Sequence, residues 1–495
     1  MKKLIYSILI LFMCIMTLAL LSCGGDDVTT TATNDITTTT DDNVTTVPPL
    51  DVHKECIHEE EIIAGKEPTT TSTGLTDGKK CTLCDEILIY QSVIPAKSVI
   101  DGFEYRISDD GTFYSVIGIG NIKDTKAVIP STYNNLPVTR IENEAFKSCA
   151  AITEITLPDS ITYIGKSAFE SCINLTKVNL PDGITAIKMS AFMHCKSLAE
   201  IKLPKGITRI ENYTFSGCER LVSVEIPNGL TYIGLCAFMN CENLGAIEIP
   251  DTVTQIGQKA FWYCDRLKSV KLSKNITVIE ENLFSNCANL ESIEIPDGVT
   301  SIEEDAFSYC QSLTEIYIPA SVTDIFVDFG GAFSGCTSVK EYIVAADNPN
   351  YKSVNGILYS KSGDILIRYP SAKTDKSYVT PEGVTNIADG AFFGSAYLES
   401  IILPDDLEVI GQSTFYECYK LEEINIPGKL RSIGGDAFRG CISLTSVVIP
   451  SSVTSIGSSA FYGCSSLTVL CKSPSKPRGW IIGWVEEDTK VVWNY

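Results

Sequence analysis

The sequence predicts a repeat solenoid, in which short coils stack on one another, and three observations lead to this fold class. Aliphatic residues keep the same places within a unit of 23 residues. Prolines recur with this period at Pro158, Pro181, Pro204, Pro227 and Pro250. Phenylalanines recur with it at Phe146, Phe169, Phe192, Phe215, Phe238, Phe261, Phe284 and Phe307. Because a fixed period of this length is typical of stacked repeats, we expect each coil to bury its aliphatic residues against its neighbours.

The unit that begins at Leu175 indicates where each coil forms a strand. Leu175, Val178 and Leu180 follow the pattern L-x-x-V-x-L, which is the strand signature of a leucine-rich repeat. In such a strand alternate residues point inward and the residues between them face solvent. One unit alone has no closed core, so it should fold only within a stack. Positions below are counted from Leu175 as position 1, which puts Phe192 at position 18 and Cys195 at position 21.

The order of motifs in each unit resembles the BspA-like leucine-rich repeats of bacterial surface antigens. The motifs are I-P after the strand, then I-x-x-I-G and A-F-x-x-C, and they cover about two thirds of the chain in thirteen Phe-bearing turns. Pro181 and Gly183 stand where the commonest leucine-rich consensus has Asn or Cys, so details of other repeat classes are not carried over. The resemblance implies a surface lipoprotein that adheres to proteins of a host, of a neighbouring cell or of the extracellular matrix.

Residues 1–22 are predicted to be a lipoprotein signal peptide. Lys2 and Lys3 precede a largely apolar run over residues 4–21, as in a secretory signal. The L-L-S-C sequence that ends at Cys23 resembles the bacterial lipobox, which implies that cleavage leaves Cys23 as the lipidated N terminus. A transmembrane anchor is the alternative, because an apolar run of about 18 residues approaches the length that spans a membrane. We therefore expect an exported, membrane-anchored lipoprotein on the cell surface or outer envelope.

Residues 23–50 are predicted to form a disordered tether. They consist almost entirely of Thr, Asp, Asn and Gly, with Pro48 and Pro49 near the end. This composition cannot bury enough apolar surface to order itself. The tether would hold the folded part of the chain away from a membrane surface.

A small segment at residues 51–100 contains the one arrangement that suggests metal chemistry. Cys56 and His58 precede the pair Cys81 and Cys84. Three thiolates and one imidazole satisfy tetrahedral zinc, and the C-x-x-C spacing lets both sulfurs reach one ion. The alternative is a disulfide between Cys81 and Cys84, as expected in an exported protein. Either arrangement would be structural, and no other cofactor is expected.

Residues 101–137 are predicted to form an N-terminal cap ahead of the repeats. Apolar residues alternate with turn signals there, as in two or three strands. A cap is needed because the first coil would otherwise expose an apolar end and an unpaired strand edge. The repeats then occupy residues 138–344 and residues 378–470.

Residues 345–377 interrupt the repeats with a predicted hairpin insertion. Cys336 and the next equivalent residue, Ser395, are 59 residues apart, which is one unit of 23 plus 36. The apolar triplets 357–359 and 365–367 are separated by Lys-Ser-Gly-Asp, a turn signal. We expect a hairpin that protrudes from the stack, either as part of a binding face or as a decorated loop without function.

Residues 471–495 are predicted to form a C-terminal cap. They contain Trp480, Trp484 and Trp493, and three exposed indoles would be unusual on a soluble surface. We therefore interpret the segment as a lid packed over the last coil, with an aromatic ligand site as the alternative.

Twelve of the 19 cysteines share position 21 of successive coils. Stacked coils lie about 4.8 Å apart, so neighbouring cysteines could meet the distances of disulfides. A column has no rule for pairing, however, and Ser395 occupies it without leaving a cysteine unmatched. We interpret the column as buried, inert thiols. Its members are Cys149, Cys172, Cys195, Cys218, Cys241, Cys264, Cys287, Cys310, Cys336, Cys418, Cys441 and Cys464.

Charge and motifs argue against several classes of function. Lys and Arg number 39 against 61 Asp and Glu, and the net charge of -22 disfavours nucleic acid and anionic lipid headgroups as partners. The chain has three histidines, and we expect His194, within a repeat, to be a solvent-exposed surface residue. No G-x-S-x-G, phosphate-loop or H-E-x-x-H motif is present. We therefore predict neither an enzyme nor a small-molecule substrate.

A binding surface is predicted on the concave face, where positions 3 and 5 of each strand should project. Position 5 is polar or charged in the first seven coils and largely apolar from Tyr317 onward. Tyr317, Ile343, Ile402 and Val448 are therefore candidate anchors for a protein partner. The alternative is that the hairpin or the C-terminal lid covers them. In chain order, position 5 holds Thr156, Asn179, Lys202, Glu225, Glu248, Lys271, Glu294, Tyr317, Ile343, Ile402, Asn425 and Val448.

The sequence thus predicts a cell-surface adhesion protein that recognises a protein partner through a leucine-rich repeat solenoid and touches membrane only through its lipid anchor. One alternative is a surface protein that binds carbohydrate or another polymer, which would favour exposed aromatic residues in a groove. The other is a structural envelope scaffold with no specific ligand.

Overall fold

The protein is described by a computed structural model that covers residues 60–66, 74–82, 87–91, 93, 94, 98–100, 102–120, 124–328 and 331–495. Two compact units divide the chain, one formed by residues 1–59 and 81–85, the other by residues 60–80 and 86–495. The repeats lie entirely in the second unit. No helix in the described ranges is long and apolar enough to cross a membrane. The predicted signal peptide (residues 1–22) and tether (residues 23–50) lie outside the described residues.

Short strands precede the regular coils. The first five are β1 (Glu60–Ile63), β2 (Gly74–Leu75), β3 (Gly78–Cys81), β4 (Ile87–Ile89) and β5 (Val93–Ile94). The next six are β6 (Ser98–Ile100), β7 (Phe103–Ile107), β8 (Tyr114–Ile119), β9 (Lys126–Val128), β10 (Thr132–Tyr133) and β11 (Leu136–Ile141). β6, β7 and β8 form an antiparallel sheet, and β8 then pairs in parallel with β11. β9 pairs in parallel with the first strand of the coils. Antiparallel strands therefore precede the stack in the region predicted to cap it.

Each coil of the stack contributes two short strands. Up to the insertion these are β12 (Glu154–Thr156), β13 (Tyr163–Ile164), β14 (Lys177–Asn179), β15 (Ala186–Ile187), β16 (Glu200–Lys202), β17 (Arg209–Ile210), β18 (Ser223–Glu225), β19 (Tyr232–Ile233), β20 (Ala246–Glu248), β21 (Gln255–Ile256), β22 (Ser269–Lys271), β23 (Val278–Ile279), β24 (Ser292–Ile293), β25 (Ser301–Ile302), β26 (Glu315–Ile318), β27 (Asp324–Ile325) and β28 (Glu341–Val344).

The insertion and the second group of coils complete the chain. The insertion holds β29 (Tyr351–Val354), β30 (Ile357–Ser360) and β31 (Ile365–Arg368). The coils that follow hold β32 (Ser377–Val379), β33 (Asn386–Ile387), β34 (Ser400–Ile402), β35 (Val409–Ile410), β36 (Glu423–Ile424), β37 (Ser432–Ile433), β38 (Ser446–Ile449), β39 (Ser455–Ile456), β40 (Thr468–Cys471), β41 (Gly479–Trp480) and β42 (Lys490–Trp493).

The coil strands form two sets, which we call sheet 1 and sheet 2. Sheet 1 comprises β9 and the even-numbered strands from β12 to β28 and from β32 to β42, and sheet 2 comprises β8, β11, the odd-numbered strands from β13 to β27 and those from β31 to β41. Every coil strand pairs in parallel with its equivalent in a neighbouring coil, in runs of two or more strands. The register matches the repeat, since Ile155 pairs with Val178 in sheet 1 and Ile164 with Ile187 in sheet 2. The predicted solenoid of short parallel strands is therefore confirmed, with a second strand per coil that the sequence analysis did not predict.

The position-18 phenylalanines form two columns of stacked rings inside the coils, one on each side of the insertion. From Phe146 to Phe333, adjacent ring centroids lie 5.0 to 5.8 Å apart. Tyr369 begins the second column and stacks on Phe392 at 5.2 Å. Phe461 ends the second column against the edge of Trp484 at 5.9 Å. Each ring thus fills the interior between its neighbours, where aromatic side chains bury a large apolar area.

The position-21 cysteines are free thiols that link successive coils. After Cys149, the first member, the thiol of each donates to the carbonyl oxygen of the phenylalanine three residues before the preceding column position, as in Cys195 to Phe169 at 3.1 Å and Cys241 to Phe215 at 3.3 Å. Burial raises the pKa of Cys218 to about 12, so the thiol stays protonated at neutral pH. A small side chain with a weak donor suits a site that adjoins the backbone of the next coil.

The insertion forms a three-stranded sheet within the stack, which we call the partition (β29, β30 and β31). β29 and β30 are antiparallel, β30 and β31 are antiparallel, and β31 pairs in parallel with β33 of sheet 2. Leu358 and Ile367 belong to the core on the N-terminal side, whereas Ile357, Tyr359 and Leu366 belong to the core on the C-terminal side. The hairpin was expected to protrude, but its strands are buried between two cores because β31 takes the place of a coil strand.

Asn348 fixes the entry into the partition. It is fully buried, and its side-chain amide donates to the carbonyl oxygens of Pro319 and Val322 at 2.8 and 2.9 Å. Its side-chain oxygen accepts from the backbone N–H groups of Asn350 and Tyr351 at 2.9 and 2.8 Å. One side chain therefore satisfies two backbone acceptors and two backbone donors of two successive coils.

Replacing Asn348 by alanine should lower the free energy of unfolding by about 3 kcal/mol or more, since each buried group left without a partner costs about 1 to 3 kcal/mol. Asn350→Ala is the matched control, because it removes only one exposed hydrogen bond, to Thr323. Denaturant titration followed by circular dichroism measures both losses. Equal losses would contradict the role assigned to Asn348.

The C-terminal strands extend both sheets by one further member. β41 pairs with β39 and β42 with β40, both in parallel. Trp480 and Trp484 are buried, and the indole N–H of Trp480 donates to the carbonyl oxygen of Val453 at 3.2 Å. Trp493 lies 5.6 Å from Trp480 between ring centroids. These indoles pack on the last coil, in the region predicted to be a lid.

Candidate functional site

The outer face of sheet 1 presents positions 3 and 5 of every coil. In β14, Lys177 and Asn179 are exposed while Val178 between them is buried. A turn ends the strand, because the backbone N–H of Ile184 donates to the carbonyl oxygen of Pro181 at 3.1 Å. The alternation and the proline turn recur from coil to coil, so the position-5 side chains form an exposed row along the stack.

Charged residues of the row pair across neighbouring coils. Lys202 lies 2.9 Å from Glu225, and Lys271 lies 3.7 Å from Glu248. Both pairs are largely exposed, so each contributes about 1 kcal/mol or less. Beside this part of the row lies a depression of about 510 Å³ that Glu248, Pro250 and Lys271 help to line. The N-terminal half of the face is therefore polar, with most of its charges neutralised by a neighbour.

The apolar candidates lie in three separate ladders of sheet 1. Tyr317 in β26 pairs with Ile343 in β28, and Tyr317 keeps 45% of its surface exposed. Ile402 in β34 is 55% exposed. Ile343 and Val448 are partly buried, and Val448 lines a depression of about 570 Å³. The structure brings Tyr317 and Ile343 together, while the partition lies between this pair and Ile402.

Val379 is an exposed apolar residue of the same row that the sequence analysis missed. It pairs with Ile402 across β32 and β34, and 63% of its surface is exposed. Counting forward from Ile343 loses the register in the insertion, but Val379 lies 23 residues before Ile402, so counting backward assigns it to position 5. A second available signal was Pro381, which follows Val379 by two residues, as Pro404 follows Ile402.

A second group of exposed aromatic residues lies outside the strands, at positions 19 to 23 of the later coils. Tyr397 and Tyr419 are exposed, and the Lys420 ammonium lies 5.2 Å from the Tyr397 ring centroid. Beside them Phe393 stacks on Tyr416 at 4.9 Å between centroids. Sequence reasoning missed this group, although aromatic residues at neighbouring positions of successive coils were a readable signal.

The predicted metal ligands fall almost entirely outside the described residues. Cys56, His58 and Cys84 lie there, as does the predicted lipidation site Cys23. Cys81 is described and buried in β3. Among the residues that can be described, no three His, Cys, Asp or Glu side chains are placed to hold a metal ion.

His194 is half-buried rather than exposed as expected. Its backbone has a positive φ of 58°, and Gly217 of the next coil lies against the imidazole, where a Cβ atom would clash with it. Burial lowers the pKa of His194, and nearby Lys196 lowers it further, while Glu170 and Glu219 raise it. The missing side chain at Gly217 is the reason that the ring can pack down on the coil.

The sequence model of the BspA type leucine rich repeat region matches this chain in six copies. The matches cover residues 139–268, 233–354 and 372–473. They therefore include both groups of coils and the beginning of the partition. No curated protein sequence matches the chain.

Several solved structures are similar to the chain. A leucine-rich cell surface protein from Faecalibacterium prausnitzii is 29% identical, with 76% of this chain and 94% of that chain covered and a TM-score of 0.47. A leucine-rich repeat protein from Bacteroides ovatus is 25% identical, with 80% and 99% covered and a TM-score of 0.45. The pneumococcal vaccine antigen PcpA is 22% identical, with 81% and 86% covered and a TM-score of 0.39.

Proposed function

Because the chain belongs to the BspA-type leucine-rich repeat family, we propose that it is a cell-surface protein that binds another protein through the outer face of sheet 1. The repeats that define the family span residues 139–354 and 372–473, which contain the whole candidate row. A stack of parallel coils offers an extended surface of regularly spaced side chains, which suits recognition of a macromolecule.

The observation that carries the proposal is the exposure of large apolar side chains in a row that is otherwise polar. Tyr317 and Ile402 occupy positions where the N-terminal coils place residues such as Lys202 and Glu225. Exposed apolar and aromatic residues rimmed by polar ones are typical of protein interaction sites. Tyr317, with Ile343 as its neighbour across the strands, is therefore the leading anchor, and Ile402 and Val448 extend the surface.

The proposal includes export and attachment to a membrane by lipid on Cys23. Its support is the basic start, the apolar run over residues 4–21 and the L-L-S-C sequence. Adhesion to host or extracellular matrix proteins is the form of binding that the resemblance to the family suggests. We propose no catalytic role.

Substituting Tyr317, Ile343 and Ile402 together by alanine should weaken binding to a protein ligand at least tenfold, since a single buried anchor contributes about 1 to 2 kcal/mol or more. The measurement is saturable binding of the purified protein to immobilised matrix proteins and glycans. The double variant Lys202→Ala and Glu225→Ala, on the same face, is the matched control and should bind as the wild type does.

The possible outcomes of this experiment distinguish the candidate functions from one another. Unchanged affinity of the triple variant would place the site elsewhere. Glycan binding that is lost when Tyr397 and Tyr419 are replaced by alanine would favour a carbohydrate-binding protein, the function that these exposed rings support. No saturable binding to any member of the panel would favour a structural scaffold.

A further inference from the structure

Sheet 1 is interrupted inside the molecule, between β28 and β32. The far edge of β28 is covered by the partition, because the backbone N–H of Tyr342 donates to the carbonyl oxygen of Gly356 at 2.8 Å. The Ser353 hydroxyl donates to the carbonyl oxygen of Tyr342 at 2.6 Å. β32 begins the next run of sheet 1 and pairs with β34 on one side only. Sheet 1 divides into shorter runs elsewhere too, but at β32 the partition takes the place of the preceding coil strand, so β32 is an edge strand in the middle of the stack.

The edge of β32 that faces away from β34 presents unused backbone groups. The carbonyl oxygen of Lys376 accepts from the N–H of Glu399 at 2.7 Å, and the N–H of Thr380 donates to the carbonyl oxygen of Ile402 at 3.0 Å. Alternate residues of a parallel strand point their backbone groups to opposite sides, so those of Ser377 and Val379 point away from β34. No described residue provides them with a backbone partner.

Side chains at this edge also differ from those of other coils. Ser377 and Val379 are exposed. Thr380 occupies position 6, which holds an aliphatic residue in neighbouring coils such as Leu403, and its buried hydroxyl has no hydrogen-bond partner. A polar side chain at this one position of the aliphatic row is consistent with a neighbour other than another packed coil.

Proteins commonly protect an exposed strand edge with lysine, proline or a bulge. β32 itself contains no lysine, proline or bulge, since its residues are Ser377, Tyr378 and Val379 and its register with β34 is regular; its protection is limited to its short length and to Lys376 and Pro381 on either side. The Val379 side chain stands beside Ile402 on the outer face, so the open edge is continuous with the apolar surface described above.

We propose that β32 is a docking strand, to which an extended segment of a partner protein adds as a further strand of sheet 1. The N–H and C=O groups of Ser377 and Val379 would bond to the backbone of the segment, and Val379 would contact an apolar or β-branched side chain on its outer face. The inference rests on the proposed binding function and deepens it, because it assigns the partner an unfolded, strand-forming segment with alternating apolar residues.

Hydrogen exchange tests the edge directly in the unliganded full-length protein. The amides of Ser377 and Val379 should exchange rapidly, whereas that of Tyr378, which faces β34, should be protected. Strong protection of Ser377 and Val379 would overturn the inference, because the edge would already be occupied.

Peptide binding tests the docking step. The probes are capped, fluorescent hexapeptides in which Val or Ile alternates with Thr, Lys or Glu, each accompanied by two analogues, one N-methylated at the odd-numbered residues and the other at the even-numbered residues. We expect at least one unmodified peptide to bind and its methylated analogues to differ, because N-methyl groups block bonding only along the edge that faces β32. Failure of all unmodified peptides to bind, or equal binding of both analogues with alternate methylation patterns, would overturn the inference.

Val379→Pro locates the peptide on β32. Proline removes the outward N–H and is tolerated on an edge strand, so the pairing with β34 should persist. We expect this variant to lose at least about fivefold in peptide affinity, as for one lost hydrogen bond. Val379→Thr keeps the N–H and the β-branched shape, so it should bind nearly as the wild type does.

These variants also separate the inference from the proposed function. A matrix protein that binds Val379→Pro as tightly as wild type, but loses affinity for the Tyr317, Ile343 and Ile402 variant, would support the proposed function and overturn docking at β32. Loss of affinity for the matrix protein in both Val379→Pro and the triple variant, with the affinity of Val379→Thr unchanged, would support the proposed function and docking at β32.

Discussion

Replacing Phe238 by alanine should lower the free energy of unfolding by about 3 to 5 kcal/mol. The ring is fully buried and stacks on Phe215 and Phe261, each at 5.4 Å between centroids. Removing it leaves a cavity between two rings whose own coils hold them in place, so the site can collapse only partly. Denaturant titration of wild type and variant, followed by circular dichroism, measures the difference.

Lys202→Ala is the control for this substitution. Its side chain is exposed and its ion pair with Glu225 contributes about 1 kcal/mol or less. The free energy of unfolding of Lys202→Ala should therefore be close to that of the wild type. Equal stability of the two variants would contradict the assignment of position 18 to the interior and position 5 to the surface.

Raising the pH above about 9 should destabilise and then unfold the protein, because the buried thiols of the cysteine column lose their protons only when the chain unfolds. Folding raises the pKa of Cys172, Cys218, Cys336 and Cys418 to about 12, mainly because burial penalises the thiolate. An unfolded thiol has a pKa near 8.5. Between these values the folded state retains protons that the unfolded state releases, so the stabilisation is fully present below about pH 8.5 and is lost as pH rises toward 12.

Each buried thiol should steepen this loss by about 1.4 kcal/mol per pH unit, so that four of them give about 5 kcal/mol per unit. Far-UV circular dichroism between pH 7 and 12, in the presence of a reducing agent, follows the transition. Serine already occupies this column at Ser395. Substituting Cys418 by serine should therefore lower the number of protons released on unfolding by about one, and so reduce the slope of the unfolding free energy against pH. Stability that stays constant up to pH 11 would refute this account.

The regular coils were predictable because each position recurs many times. Leu175, Val178 and Leu180 identify the strand of sheet 1, and Phe192 and Cys195 identify two interior columns; the structure places them there. The exposed row could be derived in the same way, since strand residues alternate between core and solvent. Repetition turns a weak local signal into a strong one.

Features that occur once were not predictable in the same way. The triplets 357–359 and 365–367 announce strands, but whether they project depends on pairing of β31 with β33, which no local pattern encodes. Within the regular coils the strands of sheet 2, such as Ala186–Ile187, have only two residues, too few to show alternation. Nothing in the sequence around Asn348 distinguishes it from an ordinary loop residue, although its side chain makes four hydrogen bonds.

Part of the candidate site depends on the same non-local contacts. Ile343 shares position 5 with Ile402, yet it is less exposed. Its strand, β28, adjoins the partition through the bond between Tyr342 and Gly356. Spacing alone treats all members of the row as equal, whereas the neighbouring strand determines how much of each side chain remains accessible.

The partition also limits how damage can spread. In a stack where each coil stabilises only its neighbours, loss of one coil exposes the next, and fraying can proceed along the array. The partition has antiparallel hydrogen bonds of its own, and its side chains contribute to both cores. When a protease removes coils from one end, it therefore reaches the partition, whose antiparallel hydrogen bonds do not depend on the coils already removed. We therefore expect coils on the far side of the partition to stay folded when coils on the near side are lost.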